Sequence, residues 1–369
     1  MNMLQNTLQQ PLTVFSAFDG CSCGQVALQR LGIKVKNYFA SEIDPYPIKV
    51  TQANFPKTIQ IGDITKVDSS QLPNIDLMMG GSPCQGFSFA SSKQLNFEDP
   101  RSKLFFDFIR LRDELRPKYV LLENVRMSKE SQDIISKYMG CEPTKINSSL
   151  LSGQSRNRLY WLVMLVGEKY EPVYINQPND KGVVMKDILE DLPFGEIPNY
   201  LANNWGGEPR GNKVKSIDDP KANCLTASMY KGQIPTYIKA KQPILVGDAD
   251  KYSHYKYNAT KRVYHPEGKS PTLLTMQGGN REPKVATYST KDNVVVNTRL
   301  DEMYGWRKLT PLECERLQTL PDNYTNHVSN SQRYKMIGNG WTVDVIAHIL
   351  NHLLTQQHLK SESQLEFSL

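Results

Sequence analysis

Five short apolar runs, each separated from the next by a turn-rich or helix-periodic stretch, order the chain up to Val166. They are Leu12 to Phe18, Asn37 to Ser41, Ile75 to Met79, Tyr119 to Leu122 and Leu159 to Val166. Between them, Gln25 to Leu31 and Pro47 to Ala53 read as helices. Leu104 to Leu115 places Phe105, Phe108, Ile109 and Arg112 at helical spacing. Strands alternating with helices argue for an α/β fold: a doubly wound, mostly parallel sheet covered on both faces. Such sheets keep their chemistry beyond the carboxyl ends of the strands, so the residues that follow each run are the candidates for function.

The first run opens into Phe18-Asp19-Gly20-Cys21-Ser22-Cys23-Gly24, a glycine turn before a helix, where Gly20 and Gly24 would let backbone approach a nucleotide-like ligand. Glu42 ends the second run, as an acid gripping ribose hydroxyls would. Asp63 follows Ile61-Gly62 and could accept from an adenine amino group; an ordinary pair of surface carboxylates is the plainer alternative. The third run ends in Gly80-Gly81-Ser82-Pro83-Cys84-Gln85-Gly86-Phe87-Ser88, which places one thiol in a shaped loop, although an isolated cysteine is most often a small buried apolar residue. Glu123 closes the fourth run, where a carboxylate is costly without a partner or a task, and Asn124 beside it could hydrogen-bond the Cys84 loop. Gln154-Ser155-Arg156-Asn157-Arg158 leads into the fifth run. Two arginines at i and i+2 of an extended segment face the same side and could grip a phosphate or a base carbonyl through forked hydrogen bonds; without the neighbouring motifs a salt-bridged surface pair is the default.

Beyond about Glu171 Pro, Gly, Asn and Lys become frequent and helix periodicity fades. From Arg210 to Arg299 there are 16 lysines and arginines against 7 acids, interleaved with seven tyrosines, while the whole chain carries only +6. That mixture suits phosphate and base contacts, though charge alone would equally describe a solvated basic surface. Two similar hairpin-like elements run from Lys221 to Thr226 and from Lys269 to Thr275. Order returns at Thr310-Pro311-Leu312-Glu313, an N-cap with Pro at the first helical position, and a helix is expected over Leu312 to Leu320. Gly338-Asn339-Gly340 reads as a tight turn opening a helix from Thr342 to Leu354, and the tail beyond Gln356 as frayed.

Other classes of function fit poorly. The longest apolar run, Tyr160 to Val166, is far too short to cross a bilayer, and no basic region followed by an apolar stretch opens the chain. Six scattered cysteines make no disulfide framework, and Cys21 and Cys23 have neither zinc spacing nor a histidine cluster beside them.

In this order and spacing the motifs resemble those of the DNA (cytosine-5)-methyltransferases, from residue 12 to about 354. FDGCSCG (18–24) looks like the cofactor turn, SPCQGFS (82–88) the nucleophile loop, ENV (123–125) the acid and QSRNR (154–158) the paired arginines. RKLTPLECERLQTLPDNY (307–324) and GNGWTVDVIAHIL (338–350) resemble the closing motifs, whose last helix returns to the first domain. Three residues between the first two glycines depart from the commoner bacterial form. They are closer to the vertebrate de novo enzymes, as is Ala40-Ser41-Glu42.

The resemblance implies a Rossmann-like methyltransferase domain over residues 1–172, a smaller, irregular β-rich target-recognition domain over 173–303, and a return to the first domain over 304–369. It implies S-adenosylmethionine held by Phe18, Asp19, Gly20, Gly24, Glu42, Ile43, Asp63, Ile64, Gly81, Pro83, Asn339, Trp341 and Thr342. Double-stranded DNA would present a flipped cytosine to Cys84, Glu123, Arg156 and Arg158, with Ser82, Gln85, Ser88, Asn124, Thr226 and Thr275 as further contacts. Cys84 would attack ring carbon 6 and Glu123 would protonate or hydrogen-bond N3, without a metal. Phe87 to Arg101 would close over the DNA. A monomer in the cytoplasm of a prokaryotic or phage-infected cell is expected, with a cognate restriction endonuclease possible. The rivals are a transfer-RNA methyltransferase of the same fold, whose Cys-Phe-Thr segment does not occur here, and a catalytically silent DNA-binding regulator.

Overall fold

The computed structural model describes residues 10–82, 100–190 and 303–353, together with the strands Leu245–Asp248, Arg262–Tyr264 and Lys284–Tyr288. Its main sheet has eight strands: β1 (Leu12–Ala17), β2 (Val35–Ser41), β3 (Ile59–Gln60), β4 (Leu77–Gly81), β5 (Tyr119–Val125), β6 (Thr144–Asn147), β7 (Asn157–Val166) and β8 (Lys169–Pro172). The order is β3-β2-β1-β4-β5-β7-β6, with β8 paired to β7. From β3 through β5 all pairings are parallel, while β7 runs antiparallel to its neighbours. The order reverses between β1 and β4, which places a crevice at their carboxyl ends.

The period-2 alternation of side chains sorts every central strand into two cores. Leu12, Val14, Leu77, Met79, Tyr119, Leu121, Tyr160 and Leu162 face one side. Phe15, Ala17, Met78, Val120, Leu122, Trp161 and Val163 face the other. The second side is covered by α3 (Pro100–Leu115) through Phe105, Phe108, Ile109 and Leu111, and by α4 (Lys129–Met139) through Ile135 and Met139. The first is covered by α1 (Cys23–Arg30) and, from far along the chain, by a helix over 343–353 whose Val343, Ile346, Ile349, Leu350 and Leu353 are buried there. Burying such side chains contributes on the order of 1.5–3 kcal/mol each.

Local signals explain the ends of the elements. Asp44 caps α2 (Pro45–Asn54), accepting from the Tyr46 amide at 3.1 Å, and Pro45 opens the helix. Thr310 and Glu313 form the reciprocal capping box of α5 (Pro311–Leu317), with the Thr310 amide donating to Glu313 Oε2 at 2.8 Å. The expected tight turn at 338–340 is displaced. A further helix, α6 (Asn330–Asn339), runs through Gly338, helical structure lapses over 340–342, and the helix over 343–353, α7, follows.

A second sheet has the order β12-β11-β10-β9, formed by β9 (Leu245–Asp248), β10 (Arg262–Tyr264), β11 (Lys284–Tyr288) and β12 (Met303–Lys308). Its β10–β11 pairing is parallel and its outer pairings are antiparallel. The main core extends past Pro172, since Val173, Ile175, Met185 and Ile188 are buried in it, and β12 carries the second sheet to Lys308. The two echoing elements, residues 87–99 of the expected closing loop, and the tail lie outside the described residues.

Candidate active site

The turn after β1 is held in an unusual backbone. Phe18, Gly20 and Ser22 all have positive φ (55°, 59° and 59°), costly for the two residues that carry a Cβ and typical of functional loops. Asp19 anchors it, accepting from the Ser22 hydroxyl and from the Tyr38 hydroxyl at 2.8 Å. Burial lifts the Asp19 carboxyl from 3.8 to about 6; the hydroxyl donors pull it down and the Glu42 charge adds to the rise. Gly24 serves packing: a Cβ there would lie 2.6 Å from Met79 Cε and 3.2 Å from the Tyr38 hydroxyl, so its bareness seats α1 on the sheet.

A carboxyl whose folded pKa lies above its unfolded one binds its proton more tightly in the native state. Its contribution is therefore present at low pH and lost as pH rises through about 6. Asp19→Asn removes that titration. The melting temperature of the variant should gain on the wild type between pH 4 and 7, by on the order of 2 kcal/mol of stability. A difference that stays flat with pH would assign the effect elsewhere.

At the next strand end, Glu42 takes the Gly20 amide on Oε2 (2.9 Å) and the Ile43 and Asp44 amides on Oε1 (2.7 and 2.8 Å). Ile43 is 73% exposed. Asp63 uses Oδ1 to accept from the amide and hydroxyl of Thr65, while Oδ2 has Lys66 at 3.9 Å. Ile64 is buried in the core on the α3 side, so its side chain is withdrawn from the crevice. The exposed Ile43 follows directly on Glu42, which holds the Gly20 amide, and Gly20 has nothing within 4 Å of where a Cβ would stand; such open apolar and acidic groups suit a ligand with a flat apolar base and hydroxyls.

Two strands further along, β4 and β5 set Gly81 opposite Glu123. The Glu123 carboxylate is buried and held on both oxygens. Arg158 Nε lies 3.1 Å from Oε1, and Trp341 Nε1 donates to Oε2 at 3.1 Å. A Cβ on Gly81 would come within 2.9 Å of both Glu123 Oε2 and the indole nitrogen, so only glycine admits this contact. Asn124 Nδ2 donates to Ser82 Oγ at 3.1 Å, which ties the acid's strand to the residue where the Cys84 loop departs. Pro83, Cys84, Gln85, Ser88, Thr226 and Thr275 lie outside the described residues.

The two arginines separate. Arg158 turns to Glu123, but Arg156 is buried and its Nη2 donates to the carbonyls of Gly338 (3.2 Å) and Gly340 (3.0 Å). Strand alternation does not govern Arg156, because β7 begins at Asn157. The same closing turn is held by Gln318, a buried residue that the sequence reading passed over. Gln318 Nε2 donates to the Ile337 and Gly340 carbonyls, and its Oε1 accepts from Thr342 Oγ1 (2.7 Å) and from Gln154 Nε2 (3.2 Å). Tyr324, also passed over, donates its hydroxyl to the Cys21 carbonyl at 2.6 Å and so joins the closing segment to the β1 turn. Asn339 is exposed beside this turn. Among the described residues no three or more His, Cys, Asp or Glu could hold a metal ion, and no helix is long and apolar enough to cross a membrane.

A doubly wound sheet with a glycine turn, two carboxylates and an arginine-paired glutamate at its strand ends fits a Rossmann-like methyltransferase. The model of the C-5 cytosine-specific DNA methylases matches residues 12–355, and the chain belongs to that family of DNA (cytosine-5)-methyltransferases. It is 28% identical to the orphan methyltransferase M.SPBetaI of Bacillus phage SPbeta, over 96% of this chain and 99% of the relative. It is 26% identical to the type II methyltransferase M.HhaI of Haemophilus parahaemolyticus, over 95% and 96%. The solved Entamoeba histolytica methyltransferase EhMeth shares the fold, with a TM-score of 0.65 at 16% identity, over 94% of this chain and 99% of that one.

Proposed function

We propose that this chain methylates carbon 5 of a flipped cytosine within a fixed sequence of double-stranded DNA, through a covalent bond to Cys84. The observation that carries the reading is Glu123, buried at the end of β5 with Arg158 on one oxygen and Trp341 on the other, beside the strand that leads into Cys84. Addition of the Cys84 thiolate to ring carbon 6 pushes electron density to carbon 5, while Glu123 meets N3 and relieves the charge that develops there. Arg158 orients that carboxyl. Arg156, through the closing turn, acts as a positioning residue. With a methyl group on carbon 5, removal of the carbon-5 proton by a water acting as base re-forms the 5,6 double bond, expels Cys84 as thiolate and returns the N3 proton to Glu123.

S-adenosylmethionine fits the crevice. Ile43 and Phe18 would flank the adenine, Asp63 would meet its amino group, and Glu42 and the Gly20 turn the ribose; the exposed Asn339 would border the same crevice, while Thr342 is buried with its hydroxyl on Gln318 and would act through the closing turn. When bound, it supplies an electrophilic methyl group on its sulfonium. The 173–303 region, with its basic charge and tyrosines, is the target-recognition domain, and Thr226 and Thr275 are its proposed DNA contacts. The protein is proposed to act as a monomer in the cytoplasm of a bacterial or phage-infected cell, with or without a cognate endonuclease.

Bisulfite sequencing of plasmid DNA from a host lacking cytosine methylation tests this reading directly. Wild type should protect cytosines in one short context, and Cys84→Ser should protect none. A duplex carrying 5-fluorocytosine should trap the wild type covalently. Tight DNA binding without protection or adduct would leave a silent regulator; methylated transfer RNA with unmodified DNA would move the substrate to RNA.

A further inference from the structure

We propose that Trp341 is a positioning residue for the catalytic acid: its indole N–H fixes the plane of the Glu123 carboxyl and links that acid to the turn bordering the cofactor crevice. The inference rests on the reading of Glu123 as the group that meets the cytosine N3.

A carboxylate has two oxygens and can rotate about its last torsion, which is broad and soft. A cation against one oxygen leaves that rotation loosely held. A directed hydrogen bond on the other closes it. Here Arg158 pairs with Oε1 as an ion pair, its Nε 3.1 Å away, and Trp341 Nε1 donates to Oε2 at 3.1 Å, in a site where Glu123 is only 8% exposed. The bare Cα of Gly81 makes room for that donor.

The frame around this pair closes on itself. Arg156 and Arg158 leave one end of β7 for different targets, Arg158 for the acid and Arg156 for the carbonyls of Gly338 and Gly340. Gln318 holds the Gly340 carbonyl as well. The next residue along, Trp341, reaches back to the acid, and Thr342 after it is pinned by Gln318. The acid is thus braced from its own sheet and from the closing segment, 218 residues away in sequence. An indole is suited to this task because its N–H donates and cannot accept.

Two measurements test the proposal. In Trp341→Phe, which keeps an aromatic ring and removes the donor, kcat should fall about tenfold, the scale of one hydrogen bond to a charged group. KM for S-adenosylmethionine should move less than about twofold. In a Glu123→Ala background the same change should cost less than about twofold, because the group being positioned is gone. A raised KM with unchanged kcat, or costs that simply add, would make Trp341 a wall of the cofactor site and overturn the proposal.

The second measurement is independent of turnover and of how the Trp341 variant folds. The indole N–H proton of Trp341, assigned through its backbone connectivities, should shift upfield in Glu123→Ala relative to the wild type. An unmoved resonance would show that no such bond exists. A moved resonance with a fully active Glu123→Ala enzyme would instead uphold the contact and discard the catalytic role of Glu123.

Discussion

Glu123→Gln lowers kcat by about a hundred- to a thousandfold, the range of general acid–base catalysis, with DNA and S-adenosylmethionine binding nearly unchanged. The amide keeps the shape and one acceptor oxygen, so either Arg158 or Trp341 retains a partner, yet it lacks the exchangeable acid proton that a developing charge on N3 demands. Transfer of a tritiated methyl group to a cognate duplex, measured under single turnover, reads the loss. Activity within a few-fold of wild type would remove Glu123 from the chemistry and leave it a structural group of the β5 end.

The largest expected loss of stability belongs to a site that touches no ligand. Glu315 is fully buried, and its Oε1 accepts from the Thr325 amide at 2.8 Å, from the Thr325 hydroxyl and from Arg333 Nη2 at 3.0 Å. Arg333 Nε also donates to Thr325 Oγ1 at 3.0 Å. Arg333→Met strips the charge partner and leaves an anion in the core, which costs about 3–5 kcal/mol, or a fall in melting temperature of about 10 °C. Adding Glu315→Leu to that variant should restore much of the loss, since desolvating the pair offsets much of its attraction. A double variant no better than the single would show that the pair stabilises the fold outright.

Much of the main sheet could be read from the chain, because a strand buried on both faces, parallel or not, announces itself as a continuous apolar run such as Tyr119 to Leu122 in β5 or Tyr160 to Val166 in the antiparallel β7. What stayed hidden follows from the same logic. The short edge strand Ile59–Gln60 and the polar Thr144–Asn147 carry too few apolar residues to stand out. Helix α6 was obscured by its own sequence, Asn330 to Asn339, in which a buried glycine sits near the end and the apolar positions are few.

The acid and its strand partner were legible because a glutamate closing an apolar run is conspicuous. Its indole donor was not, since nothing local to Trp341 announces a carboxylate 218 positions earlier. Gln318 and Gln154 looked like ordinary polar residues for a related reason: Gln318 serves the Ile337 and Gly340 carbonyls where α6 ends, Gln154 serves the Leu317 carbonyl at the end of α5 and the Gln318 side chain, and those partners come together only once the fold has formed. Glu42 shows the reverse, an acid expected to face a ligand that also holds three amides of its own loops.

The helix over 343–353 completes the same core that β1 begins, and Tyr324 bonds the Cys21 carbonyl across 303 positions. During translation, therefore, that face of the sheet lacks its last covering helix until residues 343–353 have left the ribosome. A message cut short before Tyr324 yields a fragment with part of that core uncovered, its β1 turn unbraced and Glu123 without Trp341. Such fragments would be prey for proteases.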